Sequence, residues 1–150
     1  MATRQQIREE LQEAMRTGNN PRKQTFRLLL SSIKFADVEK GVEVDDQTVL
    51  TIIQKEIKMR KESIEGAEQA NRSDLVSQNL AEIEILNELL PKQLSDDDLS
   101  AIIKETVQEL GVTTPNQMGL VMKNVMPKVQ GRAPGDKISK ILKDLLTNKE

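Results

Sequence analysis

Met118-Gly-Leu-Val-Met-Lys-Asn-Val-Met-Pro-Lys-Val-Gln-Gly-Arg-Ala-Pro-Gly-Asp-Lys-Ile138 reads as one helix, a glycine-flanked basic turn and the start of a second helix. Val121, Val125 and Val129 recur at helical spacing. Met118, Met122 and Met126 run beside them, which marks one buried stripe more simply than an adaptable binding groove. Gly119 inside that helix costs about 1 kcal/mol relative to Ala, so the sequence suggests close helix packing or backbone contact there. Lys123, Lys128 and Arg132 converge near the turn, and Gly131 and Gly135 let backbone N–H groups approach a ligand. Arg forks onto phosphate oxygens and Lys adds mobile charge, so Lys123, Lys128, Gly131 and Arg132 are the candidate anion-binding residues. The bland alternative is that exposed Lys and Arg only solvate a helix.

The same period extends outward in both directions. Thr3 opens a pattern of Ile7, Leu11, Ala14 and Met15 that Thr17-Gly18-Asn19-Asn20 stops. Asn20 as cap with Pro21 at the first helical position opens Phe26, Leu29, Leu30, Ile33 and Val38, ending at Gly41. Asp45 or Asp46 caps a helix carrying Val49, Ile52, Ile53, Ile57 and Ile64 that fades around Gly66. Asn71 or Ser73 caps another, with Leu75, Val76, Leu80, Ile83, Leu86 and Leu90 on its buried side, and Pro91 closes it. Ser95, with Asp98 three residues on, starts a helix of Leu99, Ile102, Ile103, Val107 and Leu110 that stops at Gly111. Thr113 or Thr114 before Pro115 opens the next, and Ile138, Ile141, Leu142, Leu145 and Leu146 form the last apolar face. No period-2 run of β-branched and aromatic residues occurs. The expected fold is all-α: a helical N-terminal domain of about four helices over 1–90, a linker at 91–94, and a three-helix C-terminal domain over 95–150.

Composition narrows the chemistry. With no Cys and no His among 150 residues, thiol nucleophiles, imidazole bases and zinc sites are excluded, leaving Ser, Thr, Lys and carboxylates. Two Phe are the only aromatics, so stacking platforms for single-stranded nucleic acid are excluded too. The net charge is −2, yet both ends of the chain are basic and the middle is acidic. Such segregation can build a local anion-binding patch without drawing the whole chain to nucleic acid. Asp96, Asp97 and Asp98 follow a cap serine and complement a helix dipole more simply than they hold a metal. Arg60 with Lys58 and Lys61 has Glu56, Glu62 and Glu65 within helical reach, which favours salt bridges over a binding role. The spacing of Gly131 and Gly135 fails the phosphate-loop pattern, since no Lys-Ser/Thr pair follows. No catalytic residue, metal or cofactor is expected. No apolar run approaches membrane-spanning length, and the acid-interrupted N-terminus is unlike a targeting peptide, so the expected compartment is cytoplasmic.

Met118-Gly119-Leu120-Val121-Met122-Lys123 with Gly131-Arg132-Ala133 resembles the tail motif of the GatB/YqeY family. Lys58-Met-Arg-Lys-Glu-Ser63 and Leu89-Leu-Pro-Lys-Gln-Leu94 are similar to two further motifs of that family, in the same order. Pro134 stands where the family usually has Asp, Asp136 where many members are basic, and Leu89 where Tyr is usual. The resemblance covers nearly the whole chain. It implies an all-α accessory protein related to the tail of the tRNA-dependent amidotransferase B subunit, where that region helps hold the tRNA. Free-standing members would then be accessories to carbon–nitrogen ligation with glutamine as amido-N-donor, not catalysts alone. The expected partner is tRNA or structured RNA, with amidotransferase or translation components as further partners. Without aromatics, recognition would use shape and phosphates, and binding would weaken with salt. The alternative is a protein-interaction adaptor with no RNA role.

Overall fold

Side-chain spacing alone makes helices of most of this chain, and a computed structural model, which describes residues 3–147, bears out the all-α reading. Among the described residues seven α-helices follow one another: α1 (Arg4–Thr17), α2 (Asn20–Lys40), α3 (Asp46–Gln69), α4 (Ser73–Asn87), α5 (Asp96–Leu110), α6 (Met118–Val129) and α7 (Gly135–Thr147), with a 3-10 turn at Pro115–Gln117 before α6. No strand occurs among the described residues. The chain divides into two compact units, the first ending at Pro91 and the second beginning at Lys92.

Caps written in the sequence set most helix ends. Thr3 accepts from the Gln6 N–H at 3.1 Å, Asp45 from Thr48 at 2.8 Å and Ser95 from Asp98 at 3.1 Å. Gly18, Gly41 and Gly111 end α1, α2 and α5 in the left-handed conformation. Several ends differ from expectation. Asn19, not Asn20, caps α2, accepting from Arg22 N at 3.2 Å, so Pro21 sits one residue further in. At the start of α4 neither Asn71 nor Ser73 caps: Asn71 adopts φ 55 to turn the chain out of α3, and no side chain caps the helix. α3 also passes Gly66 and runs to Gln69, because an exposed glycine weakens a helix without breaking it.

In the first unit Ile7, Phe26, Leu29, Ile33, Leu50, Ile53 and Leu86 are essentially inaccessible and share one core. Burying each contributes roughly 1.5–3 kcal/mol. Ionic ties fasten the same helices. Arg4 pairs with Asp37 between α1 and α2, and Arg22 holds Glu10 at 3.0 Å and Glu88 at 2.8 Å while lying over the Phe26 ring at 5.1 Å. Arg60 on α3 is buried against Glu56 at 2.7 Å and Glu82 of α4 at 3.0 Å. The salt-bridge expectation for Arg60 therefore holds, with Glu82 as a partner that helical spacing could not name. Met15, Val38, Leu75 and Leu80 are exposed, although their period suggested burial.

The second unit is a three-helix core of Leu99, Ile103, Val121, Val125, Ile138 and Leu142. Met118, Met122 and Met126 pack against it partly buried, as a stripe. Its first residues are fastened to it: the Leu94 N–H donates to the Arg132 carbonyl at 2.8 Å, and Gln93 Nε2 to the Gly131 carbonyl at 3.2 Å.

Candidate functional site

The basic turn after α6 is built by two successive left-handed residues, Gln130 at φ 49 and Gly131 at φ 78. Gly131 is buried, and a side chain there would be strained by the backbone conformation alone. The Arg132 guanidinium folds back onto the helix it follows, donating from Nε to the Val129 carbonyl at 3.0 Å and from Nη2 to the Lys128 carbonyl at 3.1 Å. Orphan carbonyls at a helix C-terminus favour cations, so Arg132 caps α6. Lys128 reaches across to α5, donating to the Thr106 hydroxyl at 3.0 Å and pairing with Glu109 at 2.9 Å. Thr106 is fully buried and donates in turn to the Ile102 carbonyl at 2.8 Å, so Lys128 completes a satisfied internal group.

Of the four candidate residues, Gly131, Lys128 and Arg132 thus surround one turn and hold it in shape. Lys123 lies apart from them. Five residues before Lys128, it is rotated by about 140° around the helix, exposed, and free of hydrogen bonds and ion pairs among the described residues.

Lys123 shares its outward face with Gly119, Leu120 and Pro127, all exposed. Gly119 does not mark close packing: nothing lies within 4 Å of where its Cβ would be. Pro127 sits inside α6 and lacks the N–H that would bond the Lys123 carbonyl. Two helix-weakening residues therefore occupy a face that makes no contribution to the core. Ser139 Oγ meets Met122 Sδ at 3.7 Å, bringing α7 against the residue beside Lys123. Lys143, one turn on from Ser139, and the neighbouring Lys140 are exposed and likewise unpartnered among the described residues. Sequence reading passed over both, because on α7 they look like the ordinary polar side of an amphipathic helix. Asp136 and Asp144 are the carboxylates of α7 beside these lysines, and Asp136, in the first turn, accepts from the Lys137 N–H at 2.9 Å.

Elsewhere the acidic run behaves as a helix start. Ser95 caps α5, Asp96 to Asp98 fill its first turn, and Asp96 pairs with Lys137. No group of three or more potential ligands suited to a metal ion occurs among the described residues, and no described helix is long and apolar enough to cross a membrane.

Comparison with known proteins agrees with the family resemblance. Residues 4–146 match the family described as Yqey-like protein. Altered inheritance of mitochondria protein 41, mitochondrial, from Lachancea thermotolerans is 33% identical over 134 residues, covering 87% of this chain and 70% of the relative. The protein of the same name from Kluyveromyces lactis is 29% identical over 135 residues, covering 87% and 71%. An uncharacterised protein of Schizosaccharomyces pombe is 31% identical over 90 residues, covering 60% and 73%. The first two names correct the cytoplasmic expectation, since these relatives are named as mitochondrial proteins. The expectation rested on the lack of a membrane-spanning run and on an acid-interrupted N-terminus, and a folded helical chain of this composition is compatible with more than one compartment.

Proposed function

The chain belongs to the YqeY-like family, and from that premise we propose that it is an accessory binding protein for tRNA or structured RNA. In this reading it serves glutamine-dependent tRNA amidation, a carbon–nitrogen ligation, by holding RNA while the chemistry is done by another protein. The observation that carries the proposal is the outward face of α6. Lys123 stands there without an internal partner, beside a glycine and a proline that the helix itself does not need. Lys140 and Lys143 on α7 extend the unpaired charge on the same unit. Lys128 and Arg132 support the site indirectly, by fixing the turn between the two helices.

Smooth helical surfaces with lysines suit phosphate contacts along a folded RNA, which position without reading bases. The test is titration of a mixed tRNA pool at low and moderate salt. Saturable binding is expected, with Lys123→Ala and Lys143→Ala each weakening it and each flattening the slope of log affinity on log salt by about 0.7–0.9. Binding that is absent at low salt, or indifferent to both substitutions, overturns the proposal. Incubation of the purified chain with glutamine, ATP and misacylated tRNA is expected to give no turnover.

A further inference from the structure

The chain has two aromatic residues, and while Phe26 is fully buried, Phe35 stands 64% exposed on α2. Its surroundings make that exposure informative. Leu28 and Phe35 lie four residues before and three after Ser32, hence on the same side of α2. The Ser32 hydroxyl donates to Glu56 Oε1 of α3 at 2.6 Å, which fixes this side as the α2–α3 seam. On α3, Met59 follows Glu56 by three residues and is also exposed, with half-buried Ile52 four residues before it. Leu28 and Phe35 therefore line one bank of the seam and Met59 the other, where Ile52 of the same helix packs onto the core. Isolated exposed apolar residues are ordinary, but aligned rows along a helix pair are the form that takes an amphipathic helix, read as anchors at i, i+3, i+4 and i+7.

Charge indicates the occupant. Arg27 and Lys34 run along α2 beside the apolar row, and Lys55 stands four residues before Met59 on α3. All three are exposed and have no hydrogen-bond or ion-pair partner among the described residues. Glu39 and Glu62 are the exposed carboxylates on these two faces. We propose that the α2–α3 seam is a docking groove for an amphipathic helix of a partner protein, seating its apolar ridge on Leu28, Phe35 and Met59 and turning carboxylates toward Arg27, Lys34 and Lys55. A second copy of this chain would bring those cations against themselves. RNA has no use for the apolar rows.

The groove belongs to the first unit alone, so it is tested independently of RNA binding. The probe is a displayed library of helical peptides with leucines fixed at i, i+4 and i+7 and the flanking positions varied among Glu, Gln and Lys. It is selected on the full chain. Enrichment of Glu at the flanks is expected, with a selected peptide losing at least tenfold in affinity to Phe35→Asp and to Arg27→Glu/Lys34→Glu. Phe35→Ser and thermal melting guard against a folding artefact, since an exposed side chain should leave the melt unchanged. No enrichment, enrichment of Lys, or affinity indifferent to both sets of variants overturns the proposal. So does concentration-dependent dimerisation abolished by Phe35→Asp, or flotation with anionic vesicles that Phe35→Asp abolishes.

Discussion

Arg4 and Asp37 meet fork to fork across the α1–α2 interface, Nη1 to Oδ2 at 2.5 Å and Nη2 to Oδ1 at 2.7 Å, while Asp37 Oδ1 also accepts the Val44 N–H at 2.8 Å. One carboxylate thus ties the first helix to the second and to the loop that leads into α3. The Arg4 hydrogen bond, followed by the Val44 N–H, holds the Asp37 carboxyl down at about 2 from an ordinary 3.8. A lowered carboxylate contributes stability that is complete above the unfolded value and lost as pH falls through the folded one. Denaturation at a series of pH values should show wild type more stable than Asp37→Asn by a constant margin above about pH 5. That margin should shrink between 3.8 and about 2. Parallel curves down to pH 2 would show that the pair contributes nothing through its charge.

Arg60 is the most deeply placed charge in the first unit, held by Glu56 and Glu82. Truncating it leaves two carboxylates side by side in a half-buried site. Arg60→Ala should cost about 3–5 kcal/mol, whereas Arg72→Ala, which breaks the exposed pair with Asp74, should leave stability nearly unchanged. Urea titration of both variants measures the contrast.

Two glycines on either side of Lys123 should respond in opposite directions. Gly119→Ala meets open space and should stabilise by up to about 1 kcal/mol. Gly131→Ala forces a side chain onto φ 78 and should destabilise by about 1–2 kcal/mol. Equal shifts in melting temperature would contradict the described backbone.

Lys123 and Lys128 should separate binding from stability. Lys128→Ala removes the donor to the Thr106 hydroxyl, which keeps its own bond to the Ile102 carbonyl, and breaks the pair with Glu109 that ties α5 to α6, so its effect should appear in the melt, at about 1 kcal/mol or less after allowance for solvent around an exposed ammonium. Lys123→Ala should leave the melt unchanged and act only on RNA titration. A thermal shift for Lys123→Ala would assign it a structural role.

Helices and their caps were legible because each is a local event: a threonine, aspartate or serine three residues before an N–H it can reach, or a glycine where φ turns positive. Burial was less so. The period that correctly placed Ile7, Phe26 and Leu86 also claimed Val38, Leu75 and Leu80, since spacing shows which side is apolar but not whether another helix covers it. The site depended on what chain positions far apart do to one another. Lys128 looked as available as Lys123 until Thr106 and Glu109 came across from α5, and Glu82 looked idle until α4 laid it beside Arg60. Long-range pairing of that kind leaves no mark in local spacing.

The Leu94 N–H bonded to the Arg132 carbonyl means that the second unit brings its own fastening at the place where chain enters it. A piece of this design is portable. Cut ahead of Lys92, it should keep its shape when spliced behind an unrelated enzyme, whereas a cut at Ser95 would leave the Arg132 carbonyl bare and the graft frayed at its root.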